Sequence, residues 1–139
     1  MQISEQASMV VVGAGHCGGR AVQALREFGW TGAIHLIGDE AHAPYERPPL
    51  SKDLLTGERD AAACALMPES NLAALGVQRH VAQVTQLDVA ARTVTLDNGQ
   101  VLPYQSLLLA TGGRARSLTL PGADLPGVLS LRTLADAQA

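Results

Sequence analysis

The sequence predicts an α/β protein: a parallel sheet alternating with helices, interrupted by a small antiparallel meander. Three observations carry this. Residues 9–12 (Met-Val-Val-Val) run straight into Gly13-Ala14-Gly15-His16-Cys17-Gly18, and a helical pattern begins at once. Residues 33–37 and 106–110 are further short apolar runs, each cut off by glycine. Between them, from Val81 onward, the apolar period shortens to two, the spacing of half-buried strands.

Composition sets the bounds. The 139 residues make one domain, long enough to bury a core. Apolar residues are 47% and charged residues 17%, the balance of a globular chain and not of a disordered one. A net charge of −3 does not point to a surface for nucleic acid or anionic membrane. Phe28, Trp30, Tyr45 and Tyr104 are all the aromatics, so the core falls to Val, Leu, Ile and Ala. Cys17 and Cys64 stand far apart in no paired motif, which fits a reducing compartment and excludes a disulfide framework or metal-site spacing. The polar start lacks the basic-then-apolar plan of a signal peptide, and no apolar run approaches membrane-spanning length. Cytoplasm is the expected location.

Taken in order, residues 9–12 read as a buried parallel strand. In the helix that follows, Cys17, Ala21, Ala24, Leu25 and Phe28 recur at steps of three and four as one apolar face. Arg20, Gln23, Arg26 and Glu27 fall largely on the other face, and Gly29 stands at the C-terminal cap. Residues 33–37 form the second strand, ending in Gly38-Asp39-Glu40. Strand, Gly-x-Gly-x-x-Gly turn, helix, strand and an acid about 20 residues further on make the context in which this motif means dinucleotide binding. Gly13 permits the tight turn, Gly15 lets the backbone approach a pyrophosphate, and Gly18 lets helix and strand pack closely. The fold expected is thus a Rossmann-like parallel sheet with an inserted antiparallel β-meander. Asp39 can accept both hydroxyls of an adenosine ribose. Glu40 is its rival for that role, the alternative being a solvated loop carboxylate.

The next segment departs from a plain nucleotide-binding plan. Pro44, Pro48 and Pro49 stiffen the stretch 43–52, so that Arg47 and Lys52 can be held as two cations beside an anionic ligand; the alternative, which composition alone favours, is a plain surface loop between helices. Ser51 reads as the N-cap of a short helix through Leu55, closed by Gly57. After an Ala-rich stretch, Pro68 and Glu69 start a helix that Gly76 ends, and residues 77–79 form a short parallel strand. Cys64 packs as a small hydrophobe. Residues 81–87, 93–96 and 100–102 are the strands of the meander, with Asp97-Asn98-Gly99 as the hairpin turn. Residues 106–110 return as a fully apolar strand opening into Thr111-Gly112-Gly113-Arg114, a second place where backbone amides can approach a ligand. Pro121, Gly122, Pro126 and Gly127 mark a loop. Beyond the apolar stretch 128–131 and Arg132, Thr133 and Asp136 have the spacing of an N-cap and its returning acid. A single turn of helix has little reason to form alone, so the sequence reads as the front part of a longer, truncated design.

Four motifs together resemble a known family: Val-Val-Gly-Ala-Gly-His-Cys-Gly-Gly, Tyr-Glu-Arg-Pro-Pro-Leu-Ser-Lys, Leu-Leu-Leu-Ala-Thr-Gly-Gly-Arg and Leu-Arg-Thr-Leu-Ala-Asp-Ala. In this order and spacing they resemble the FAD-binding start of the FAD-dependent pyridine nucleotide reductases. The branch is that of the ferredoxin reductases: the reductase components of Rieske-type dioxygenases, putidaredoxin reductase and rubredoxin reductase. The second and fourth motifs are the specific ones. The resemblance covers residues 9–137 and implies an FAD/NAD(P)-binding domain type whose nicotinamide-binding and C-terminal domains are absent from this sequence.

The resemblance also implies a site. Gly13, Ala14, Gly15, His16 and Cys17 hold the FAD pyrophosphate, and Asp39, with or without Glu40, the adenosine ribose. Arg47 meets the phosphate–ribityl region, and Lys52 lies near the reactive edge of the flavin. Val84 meets the adenine through its backbone, Thr111 and Gly112 pass close to the cofactor, and Arg132 reaches back to it. No catalytic acid, base or nucleophile and no metal ligand is implied. The implied activity takes a hydride from NADH or NADPH onto FAD and passes electrons singly to a ferredoxin or rubredoxin, as in aromatic hydrocarbon catabolism. No cysteine stands in the stretch 44–55, where thiol-active relatives carry one. Two alternatives stay open: another flavoprotein of the superfamily, such as a nitrite reductase subunit or an apoptosis-inducing-factor-like protein, and a non-catalytic NAD-binding module.

Overall fold

The structure, a computed structural model, describes residues 8–139; the polar opening segment, residues 1–7, lies outside the described residues. The chain divides into two compact units. The first comprises residues 8–45 with Leu66–Thr111, and the second Glu46–Ala65 with Gly112–Ala139.

The first unit holds two sheets. Strands β1 (Ser8–Val12), β2 (Ala33–Gly38), β3 (Val77–Val81) and β7 (Ser106–Leu109) form one sheet in the order β3-β2-β1-β7. Every pairing in it is parallel, with Val12 in register with Ile37 and with Leu109. Helix α1 (His16–Glu27) follows β1, and the shorter α2 (Glu69–Ala74) precedes β3. Strands β4 (Val84–Asp88), β5 (Thr93–Leu96) and β6 (Val101–Pro103) form the antiparallel meander, with a bulge between Val84 and Gln86.

The period of two along β1 sends alternate side chains into two cores. Val10 and Val12 join Ile37 with Val94, Leu96 and Leu102 of the meander. Val11 joins Ile34, Leu36, Val22 of α1, Met67 and Leu72 of α2. Each such side chain contributes about 1.5–3 kcal/mol by leaving water. No helix among the described residues is long and apolar enough to cross a membrane.

Several sequence expectations need correction. The face of α1 that packs fully is Gly18, Gly19 and Val22, not the stripe chosen by apolarity. Cys17 is exposed, and Phe28 is 90% exposed. Ala21, Ala24, Leu25 and Phe28 instead border an open apolar groove of about 510 Å³ with Leu107 and Leu108 of β7. Glycines have no side chain for a hydrophobic period to register, yet Gly18 brings the helix backbone against the β1 turn and Leu36, and Gly19 brings it against Pro44 and Leu66. Arg26, expected on the outer face, turns inward at the end of α1. Its guanidinium donates to the carbonyls of Leu75 (2.7 Å), Trp30 (2.7 Å), Gly32 (2.8 Å) and Gly76 (3.3 Å). The expected strand 81–87 is divided: Val81 closes β3, the Ala82 amide donates to the Gly38 carbonyl (3.0 Å), and β4 begins at Val84. Strand β7 is an edge strand, half-buried, with Leu109 59% exposed.

In the second unit the helical turn begins earlier than expected. It is a 3-10 turn over Pro48–Ser51, so Ser51 ends it instead of capping it. Two prolines at its first positions have φ preset and no amide to satisfy, which favours starting there. Residues 52–57 continue as turns, and Gly57 closes them at φ +78°. A second 3-10 turn, Ala62–Cys64, buries Cys64 as expected. Residues 128–131 are irregular and exposed. Helix α3 (Leu134–Gln138) carries the expected cap: Thr133 accepts from the Asp136 amide, and Asp136 accepts from the Thr133 amide.

Candidate functional site

In the first unit the predicted site residues gather at the C-terminal ends of the parallel strands, where ligands of open α/β sheets bind. Gly13 adopts φ +113°, and its amide donates to the Ile37 carbonyl at 2.8 Å. A Cβ there would stand 2.1 Å from the Ala110 carbonyl oxygen, so only glycine lets β1 leave the sheet beside β7. A Cβ on Gly18 would stand 1.8 Å from the Gly13 carbonyl oxygen, and one on Gly38 2.5 Å from the Ala14 Cβ. Gly15 differs from both. Its backbone is extended (φ −85°), and a Cβ there would enter open space. Three glycines therefore serve packing, and Gly15 leaves backbone open to a ligand.

The helix start is built for an anion. Gly15 is the N-cap of α1, no side chain caps it, and no acid lies in its first turn. The first intrahelical bond runs from the Gly19 amide to the Gly15 carbonyl (2.9 Å), leaving the preceding amides at the positive end of the dipole. His16 and Cys17 are exposed there. This donor set fits a dinucleotide pyrophosphate.

Asp39 and Glu40 follow β2 on the adjoining strand end. Asp39 is exposed; Glu40 is half-buried and accepts a hydrogen bond from the Tyr45 hydroxyl (2.5 Å). The Glu40 carbonyl accepts from Arg79 (3.0 Å), whose guanidinium is also paired with Glu69 (2.6 Å). Thr111 lies just beyond β7, its amide nitrogen 3.0 Å from where a Gly13 Cβ would stand. Val84 opens the meander beyond β3 and packs partly against the Val10–Val12 core.

The second unit brings together Arg47, Gly112 and Arg132. Arg47 donates to the Arg132 carbonyl at 2.7 Å. Gly112 sits at φ +69°, and a Cβ there would be 3.4 Å from the Arg132 guanidinium. Asp136 accepts from the Arg132 amide (2.9 Å) and the Thr133 amide (2.7 Å). Those amide donors, with the nearby Arg47 charge as a lesser cause, hold its carboxyl below the usual range. Lys52 is exposed, five positions beyond Arg47 in sequence.

The sequence reading missed Tyr45, Arg79 and Glu69, which hold the acid turn, and Gly19. A Cβ on Gly19 would stand 2.8 Å from Pro44, so its absence lets the proline next to Tyr45 approach α1. Scarce aromatics were the available signal: a lone tyrosine in a proline-rich loop is 6% exposed. Also missed was a histidine pair across β2 and β3, His35 Nδ1 lying 3.0 Å from His80 Nε2. Burial lowers both imidazole pKa values, and the charge of His80 lowers that of His35 further.

Comparison with known proteins adds the family context. The model of the family described as pyridine nucleotide-disulphide oxidoreductase matches residues 7–139. The chain is 42% identical over 133 residues to the ferredoxin–NAD(+) reductase component of the biphenyl dioxygenase system of Paraburkholderia xenovorans, covering 95% of this chain and 32% of that one. It is 40% identical over 132 residues to rubredoxin–NAD(+) reductase of Pseudomonas putida, covering 94% of this chain and 34% of that one. The crystal structure of a ferredoxin reductase from Rhodopseudomonas palustris superposes with a TM-score of 0.89 at 37% identity, covering 94% of this chain and 32% of that one. The chain thus spans about a third of the length of the relatives it matches.

Proposed function

The chain belongs to the pyridine nucleotide-disulphide oxidoreductase family, and from that premise we propose that it is the FAD-holding part of a reductase passing electrons from NADH or NADPH to a ferredoxin- or rubredoxin-type iron–sulfur protein. The observation that carries the reading is the uncapped start of α1, where Gly15 faces open space while Gly13, Gly18 and Gly38 close the turn against the sheet. The identity to two reductases of iron–sulfur carriers supports the choice of reaction.

Bound FAD supplies the redox chemistry, accepting hydride from the nicotinamide and releasing electrons singly. The protein's own residues orient and balance charge. Amides at Ala14, Gly15, His16 and Cys17 take the pyrophosphate, with the α1 dipole behind them, while Gly13, its own amide bonded to the Ile37 carbonyl, makes the turn. Asp39 accepts from the adenosine ribose, and the Val84 backbone borders the adenine. Arg47 and Arg132 add positive charge along the phosphate and ribityl region, where Thr111 and Gly112 allow close backbone approach. Lys52, an exposed cation in a proline-rich loop, favours negative charge at the flavin edge. None of these side chains serves as a nucleophile or proton carrier. The reducing chemistry and unpaired cysteines fit the cytoplasm.

The test is spectral. Full-length protein reconstituted with FAD is expected to show flavin absorbance that NADH or NADPH bleaches anaerobically and that a ferredoxin or rubredoxin restores. A colourless protein that resists reconstitution sinks the reading.

A further inference from the structure

Two adjacent carboxylates, Asp39 and Glu40, stand where a ribose-binding acid is expected, and the first unit treats them differently. Asp39 is exposed. Glu40 is held at both its ends. Its side chain accepts from the Tyr45 hydroxyl, and its backbone carbonyl accepts from Arg79, whose side chain is only 14% exposed and is paired with Glu69. Tyr45 is itself fixed. It is 6% exposed, and the preceding Pro44 is fully buried beside Gly19, with its carbonyl accepting from the Leu66 (2.9 Å) and Met67 (3.1 Å) amides.

We propose that Glu40, Tyr45, Arg79 and Glu69 form a latch that positions the acid turn, so that Glu40 is a positioning residue and Asp39 alone receives the ribose hydroxyls. This rests on the dinucleotide reading above. To reach a ribose, Glu40 must give up a bond from a mostly buried hydroxyl to its own ionised oxygen. Asp39 gives up nothing of the kind. Pinning the neighbouring residue at side chain and carbonyl also fixes the peptide from which Asp39 projects, which removes ordering entropy from the binding step. Arg79 ties the Glu40 carbonyl to β3, and Glu69, its partner, keeps that guanidinium oriented.

The test measures ADP and FAD affinity of the full-length protein by titration calorimetry, with the thermal midpoint of each nucleotide-free variant alongside. Tyr45→Phe keeps the ring and removes the hydroxyl, and is expected to weaken both ligands about three- to tenfold. Glu40→Ala should match it, and the double variant should be no weaker than either single one. Glu40→Gln retains the single oxygen needed to accept from Tyr45 and should keep affinity near the native value, whereas a carboxylate that accepts from both ribose hydroxyls loses one of its two acceptors in that variant. Asp39→Asn should lose more than any of these. If Glu40→Gln falls as far as Asp39→Asn, Glu40 is itself the ribose acceptor and the latch is refuted. Unchanged affinity in Tyr45→Phe refutes it as well. Should Tyr45→Phe fail to fold, the Glu40→Gln and Glu40→Ala pair decides alone. If the native protein binds neither ADP nor FAD, the dinucleotide reading itself fails, an outcome distinct from native binding that ignores Tyr45.

Discussion

Substituting Gly15 separates folding from binding, because it is the one glycine of the turn whose missing Cβ touches nothing. Its backbone lies at φ −85°, which alanine adopts freely, and a methyl there enters open space. Two small terms set the stability change. Alanine restricts the unfolded chain, stabilising by about 0.4–1 kcal/mol, and is a poorer N-cap than glycine, costing a similar amount. Gly15→Ala should therefore move stability by less than about 1 kcal/mol. Its effect on a pyrophosphate is different. A methyl over the open backbone keeps the phosphate from the amides, and losing two charge-assisted bonds at about 1.5–3 kcal/mol each exceeds a hundredfold in affinity. Gly18→Ala is the control: its Cβ would stand 1.8 Å from the Gly13 carbonyl oxygen, so backbone must move, at about 3 kcal/mol or more. Urea unfolding gives the first quantity, and ADP titration the second. Native-like ADP affinity in Gly15→Ala, or a loss of stability equal to that of Gly18→Ala, would refute this division of roles.

Three further outcomes follow from particular contacts. Arg26→Ala removes the cation that joins the end of α1 to the carbonyls at residues 30, 32, 75 and 76, and should cost about 2–4 kcal/mol in urea unfolding; Arg26→Lys should recover only part, since an ammonium lacks the fork. The paired His35 and His80 have lowered pKa values, so the folded state resists protons that the unfolded state takes up near pH 6.5; stability should be full above that pH and fall as pH drops through the lowered folded values. His80→Gln should flatten part of that fall in urea midpoints between pH 8 and 5, and an unaltered profile would clear the pair. On the flavin reading, Lys52→Ala should lower FAD affinity or the rate of reduction by NADH, while unchanged values in both would remove Lys52 from the site.

The fold was legible where one rule governs each segment. Short apolar runs leading into glycine turns became β1, β2 and β7, and the change of period located the meander. The errors share a cause: contact surfaces made by atoms that a hydrophobic pattern does not count. Gly18 and Gly19 form the closest face of α1 because they lack side chains, so apolarity pointed one step round the helix, to Ala21, Ala24 and Phe28. Arg26 looks like a solvated charge in sequence, yet the carbonyls it meets belong to the loop after α1 and to the turn before β3, which only the fold brings to it. The division of the expected strand 81–87 was hidden because Val81 continues the apolar alternation into β4, while the break depends on a bond from Ala82 back to Gly38, far away in sequence.

The candidate site was legible as two sets of residues and illegible as an order of importance. Glycine spacing and an acid after β2 sufficed to find the turn, because pyrophosphate binding needs backbone and so constrains residue type at fixed positions. Nothing local distinguishes Asp39 from Glu40: both are carboxylates in one loop, one residue apart. The distinction lies in Tyr45, five positions further along the same loop, and in Arg79 of β3, which meets the Glu40 carbonyl only after β2 and β3 have paired. Arg47 and Arg132 show the same dependence, since their contact at 2.7 Å joins residues 85 positions apart, and the capping box of α3 holds its acceptor in place. Motifs thus supply the groups that can touch a ligand, and long-range polar contacts decide which of them are already engaged. On the proposed latch, a carboxylate that a buried tyrosine holds is engaged in structure, and the one beside it is the group left to bind.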